Sequence, residues 1–97
     1  MISIDSPIMD PTFLELSFRS GKAFAGYLHL PRPSNTRCAR SEPREAGLVV
    51  DFNSDGQPIG IEITAPKAAS PEAVNRTLVA LGLPPLPGED LEPLRAA

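Results

Sequence analysis

Residues 47–63 read Gly47-Leu48-Val49-Val50-Asp51-Phe52-Asn53-Ser54-Asp55-Gly56-Gln57-Pro58-Ile59-Gly60-Ile61-Glu62-Ile63, an apolar run, a polar turn and a second run of strict alternation. Side chains two apart share one face of a strand, so Leu48, Val50 and Phe52 fall on one side, as do Ile59, Ile61 and Ile63. With Asn53 to Gly56 as the turn, the spacing predicts Val50 opposite Ile59 and Leu48 opposite Ile61. The two apolar faces then coincide in a β-hairpin.

The same period appears upstream. Residues 12–19 alternate, with Thr12, Leu14, Leu16 and Phe18 on one face and Phe13, Glu15, Ser17 and Arg19 on the other. Ser20-Gly21-Lys22 supplies turn chemistry, and residues 23–30 continue with Phe24, Leu28 and Leu30 aligned. Downstream, Ser70-Pro71-Glu72 carries a capping hydroxyl, a proline suited to the first helical position and an acid for the first turn. Val74, Leu78 and Leu81 follow at helical spacing, and Gly82 supplies a stop. The pattern predicts one helix over 71–81, laid on the apolar face of the sheet.

The remaining segments read as irregular. Residues 1–11 hold Asp5-Ser6-Pro7 and Asp10-Pro11, turn-initiating pairs that make this a lead-in. Residues 31–45 contain three prolines and no apolar period, which predicts a long exposed loop rich in arginine. Residues 83–97 carry Pro84, Pro85, Pro87 and Pro93 with Glu89-Asp90-Leu91-Glu92, the composition of an extended acidic tail in which Leu86 or Leu91 could be pinned to the core. The sequence thus predicts a single α+β domain over 12–82. Its sheet has four mainly antiparallel strands from two hairpins, and one helix covers one face.

Ninety-seven residues leave room for one thin core, which argues against an enzyme with a deep cleft. The net charge of −3 gives no general attraction to nucleic acid or an anionic membrane, and no apolar run reaches the roughly 20 residues of a membrane span. Charge is unevenly distributed: Arg19, Lys22, Arg32, Arg37, Arg40 and Arg44 share their segment with a single acid, Glu42. One cysteine, Cys38, allows no internal disulfide and suits a reducing compartment, and the N-terminus lacks the pattern of a signal peptide, so the cytoplasm is the expected location. Cys38 stands between Arg37 and Arg40, whose charges could activate a thiol. His29 has no Ser/His/Asp or Cys/His partner set that the sequence identifies.

One motif bears on ligands. Asp51-x-Asn53-x-Asp55-Gly56, with Glu62 at the twelfth position, meets the short calcium-loop pattern. Its flanks are strand-forming where that loop needs helices, and Pro58 occupies the eighth position. In a hairpin of the predicted register Asp51 and Glu62 also stand too far apart along the ladder to close on one ion. A turn rich in Asn, Asp and Gly for backbone reasons accounts for the same residues. No cofactor is indicated.

The run Val50-Asp51-Phe52-Asn53-Ser54-Asp55-Gly56-Gln57-Pro58-Ile59-Gly60-Ile61-Glu62-Ile63 resembles the signature of domain-of-unknown-function family 2283, small bacterial proteins with an aspartate, an aromatic, a short acidic turn and an Ile-Gly-Ile-Glu-Ile-like strand. Phe13-Leu14-Glu15-Leu16-Ser17-Phe18 is similar to that family's first strand. The likeness covers about residues 10–70; the 31–45 loop is longer than the family's, and the proline-rich tail has no counterpart in it. It implies the fold and a bacterial source, transfers no catalytic residue, and through relatives encoded beside toxin-like domains implies a binding role.

Together these readings predict a non-enzymatic interaction module that pairs with a protein partner or with itself. The uncovered sheet face should carry Phe13, Ala23, Ala25, Tyr27, His29 and Val49, rimmed by Glu15, Arg19, Asp51 and Glu62. Phe13, Tyr27 and His29 are the expected contact residues, with Arg37 and Arg40 adding charge from the loop. The alternatives from other classes are calcium binding through Asp51, Asn53 and Asp55, or a small enzymatic or redox activity with no located site.

Overall fold

The computed structural model describes residues 9–10, 12–33 and 36–95. The strands in chain order are β1 (Met9–Asp10), β2 (Phe13–Arg19), β3 (Lys22–His29), β4 (Arg32–Pro33), β5 (Arg40–Pro43), β6 (Leu48–Phe52) and β7 (Pro58–Ile63), followed by helices α1 (Pro71–Ala80) and α2 (Gly88–Arg95). Five strands form one sheet in the order β2-β3-β7-β6-β5, every neighbouring pair antiparallel, and β1 and β4 make a separate two-stranded ribbon. Among the described residues no helix is long and apolar enough to cross a membrane.

Both hairpins form where the alternation places them. The β2–β3 turn takes positive φ at both Ser20 and Gly21, the backbone hand that matches strand twist. The β6–β7 turn is longer than its glycine suggested. Asn53 Oδ1 accepts from the amides of Asp55 at 3.0 Å and Gln57 at 2.9 Å, so the side chain closes a loop that runs on to Gln57. The register consequently moves by two residues from the predicted one: Val50 faces Ile61 and Leu48 faces Ile63. An even slip leaves every side chain on its predicted face. It nevertheless changes which polar groups meet.

Two segments depart from the predicted irregular chain. The 31–45 loop contributes β4 and a fifth sheet strand, β5, which pairs Arg40 with Phe52 and Pro43 with Val49. Pro43 is tolerated because β5 is an edge and a missing N–H there interrupts no second ladder. The 83–97 tail contains a second helix. Asn75 on α1 clamps the tail backbone in both directions, accepting from the Leu86 amide at 2.8 Å and donating to the Leu86 carbonyl at 3.1 Å. α2 then starts with Glu89 and Asp90 in its first turn and buries Leu91 and Leu94, three apart on one face. Pinning of Leu86 and Leu91 is thus observed, Leu86 through Asn75 and Leu91 through a helix where an extended tail was expected. The lead-in lies largely outside the described residues; Met9 and Asp10 pair with Pro33 and Arg32.

α1 matches its sequence signature. Ser70 Oγ accepts from the Ala73 amide at 3.1 Å, Pro71 opens the helix, and the Leu83 amide returns to the Leu78 carbonyl beyond it. The helix turns Val74 and Leu78 onto the sheet face made by Leu28, Leu48, Val50, Ile61 and Ile63, all essentially inaccessible. Arg76 on its outer side forms a two-pronged pair with Glu45, at 2.7 and 3.1 Å, tying α1 to the turn that precedes β6. The guanidinium holds the Glu45 carboxyl below its ordinary range.

Candidate functional site

The sheet registers line up two transverse rows on the face away from the helices. One runs Phe13, His29, Gly60, Asp51, Ser41 and the other Glu15, Tyr27, Glu62, Val49, Pro43, each residue the cross-strand partner of the next. At the centre of the first row stands Gly60. A methyl group at this position would overlap the Tyr27 hydroxyl and ring. The absent side chain therefore provides the channel through which Tyr27 leans across the strand and donates to Asp51 Oδ2 at 3.0 Å.

Tyr27 roofs over Asp51, which is only 6% exposed although it lies on the uncovered face. Ser41 donates to the other carboxylate oxygen at 2.6 Å from the edge strand. Glu62 stands diagonally across from Asp51, one row away. Two carboxyl groups can bond only by sharing a proton, and the Asp51 hydrogen bond, burial and the Asp51 charge push Glu62 up to about 7. Burial first, then the bond to Asp51 and its charge, push the Tyr27 phenol up to about 12, opposed by Arg32. Every polar side-chain atom buried among the described residues has a partner.

Beside this network lies an aromatic stack. The Phe13 and His29 rings are parallel with centroids 4.0 Å apart, and the Tyr27 ring meets His29 edge-on at 4.7 Å. Arg32 donates to His29 Nδ1 at 3.3 Å and to the Ile59 carbonyl at 3.2 Å. The imidazole proton therefore lies on Nε2, where Glu15 accepts it at 2.7 Å. Phe13 remains 46% exposed at the end of the stack.

The predicted contact residues Phe13, Tyr27 and His29 are brought together; the two loop arginines are not. Arg40 lies on the helix side of the sheet, stacked over Phe52 at 4.1 Å and paired with Glu42, which also binds Arg44. Arg37 is exposed and stands outside both rows. The expected supply of charge from this loop to the open face is thereby corrected: Arg32 alone of its arginines reaches the stack. Cys38 is exposed, donating to the Arg40 carbonyl at 3.3 Å with Ser41 Oγ at 3.6 Å.

The calcium pattern is dispersed. Asp51 turns under Tyr27, Asn53 closes the turn through its own Oδ1, and Asp55 is exposed at the tip. Among the described residues no three His, Cys, Asp or Glu side chains gather as a metal site. Asp51 and Glu62 meet each other nonetheless, contrary to the separation inferred from the shorter turn. With Asp51 opposite Gly60 and Val49 opposite Glu62 the two carboxyls are diagonal neighbours, within reach of long side chains. Ser41 and Gly60 were not singled out from sequence. The interruption of Ile59-Gly60-Ile61 by a residue without a side chain was the available signal for the second.

No family model, curated protein or solved structure matches this chain. The geometry of the open face accordingly carries the functional reading.

Proposed function

We propose that this chain is a non-enzymatic interaction module whose open sheet face receives a protein partner presenting an apolar side chain ringed by lysine or arginine. The observation that carries this reading is the Phe13–His29–Tyr27 stack, held rigid from beneath by the Asp51 network and open at Phe13. Both helices cover the opposite face, so this one keeps an aromatic centre that has already lost its rotamer freedom. Its exposed acid Glu15 gives the rim an acidic character, which favours a basic counterpart.

The test is affinity capture from the source cell followed by calorimetry on the purified pair. A partner of this site binds wild type, loses most of its affinity to Phe13→Ser, and binds more weakly as salt rises or when Glu15 is replaced by Lys. Binding that is indifferent to both substitutions removes the open face as the contact surface.

A further inference from the structure

The two edges of the sheet are built differently. β5 is four residues long, ends in Pro43 and carries Arg40 and Glu42, three devices that discourage another strand from pairing there. β2 has seven residues, contains no proline, and keeps its own alternation regular because the bulge in this hairpin inserts Phe24 on the β3 side. It pairs with β3 on one side and with none of the described strands on the other. Its helix-side row is Leu14, Leu16 and Phe18. The first two are partly buried, whereas Phe18 is 62% exposed.

We propose that β2 is a self-association edge, at which a second copy of this chain adds its own β2 antiparallel about a two-fold axis through Leu16.

The strand is self-complementary in that register. Centred on Leu16, Leu14 faces the second copy's Phe18, Glu15 faces Ser17, and Phe13 faces Arg19, so no like charges oppose. Centring on Glu15 sets two carboxylates against each other. Centring on Ser17 keeps five pairs and sets Glu15 against Arg19, but it places Phe18 opposite Leu16, away from the hollow beside Leu14. Odd slips set the apolar row of one copy against the charged row of the other. The Leu16 register also delivers each Phe18 beside a hollow of about 230 Å³ at the start of β2, lined by Thr12, Phe13, Leu14, Leu28, Leu86 and Asp90. A two-fold axis fills two such hollows at once, as an isologous contact requires. The result is a ten-stranded sheet whose two open faces adjoin, so this association leaves the surface proposed for the partner available.

Sedimentation of the purified full chain across micromolar concentrations tests this. Wild type sediments as a dimer. Phe18→Lys, altering an exposed side chain, weakens the dimer at least about tenfold while leaving the circular dichroism spectrum unchanged. Ser17→Glu does the same by facing Glu15 with a second carboxylate, and adding Glu15→Lys to it restores the dimer. Val79→Lys, on the exposed side of α1, changes nothing. A monomeric wild type, a dimer that survives both Phe18→Lys and Ser17→Glu, or a Ser17→Glu defect that Glu15→Lys fails to repair overturns the proposal.

Discussion

Replacing Glu62 with Gln should change how the stability of this protein depends on pH, and the direction follows from the shared proton. The Glu62 carboxyl is raised from its ordinary 4.5 to about 7, because its neutral form donates to Asp51 and its charged form repels it. Between those two values the folded chain holds a proton that the unfolded chain has released, so stability declines as pH rises through this window and levels off above it. A rise of roughly 2.5 in pKa corresponds to at most about 3.4 kcal/mol; partial exposure of Glu62 to screening water reduces this to about 1–2 kcal/mol. Glutamine keeps a donor for Asp51 and cannot ionise. Urea titrations at pH 4.5 and pH 8, followed by circular dichroism because the chain has no tryptophan, should show Glu62→Gln close to wild type at the lower pH and more stable by about 1–2 kcal/mol at the higher. Equal pH slopes for wild type and variant, or an equal loss of stability at both pH values, would refute the shared-proton arrangement.

Gly60→Ala should cost about 1–3 kcal/mol, the range for orphaning a buried polar group, since the methyl displaces Tyr27 and uncovers Asp51; the near-ultraviolet tyrosine signal should fall with it, and an unchanged signal would contradict the roofing role. Leu91→Ala should cost about 2–5 kcal/mol in a urea titration, as for other fully buried leucines, whereas an unpinned tail would give almost none. Gly56 has φ of 82° with open space around it, so Gly56→Val should lower the melting temperature through backbone strain alone, and Ser54→Ala should leave it nearly unchanged.

The hairpins and α1 were legible in the sequence because they rest on local rules. Alternation assigns Leu48, Val50, Ile61 and Ile63 to one face whatever they pair with, and Ser70-Pro71-Glu72 starts a helix within its own first turn. The aromatic residues of the open face, Phe13, Tyr27 and His29, followed from the same parity. Three features depended on the tertiary structure. The β6–β7 register turned on which amides Asn53 accepts, and that choice alone decides whether Asp51 and Glu62 meet. β5 exists because β6 presents an edge to a proline-containing segment that has no strand period of its own, and α2 exists because Asn75 and the core hold a segment whose prolines argue against a helix. Arg40 was expected to add charge from a loop beside the open face, but an arginine in an unpaired loop has no face until pairing with Phe52 supplies one. Sequence period assigns faces because it is set by the backbone of one strand; register, edges and roofs such as Tyr27 over Gly60 are set between strands, where residues far apart in the chain first come within a hydrogen bond of one another.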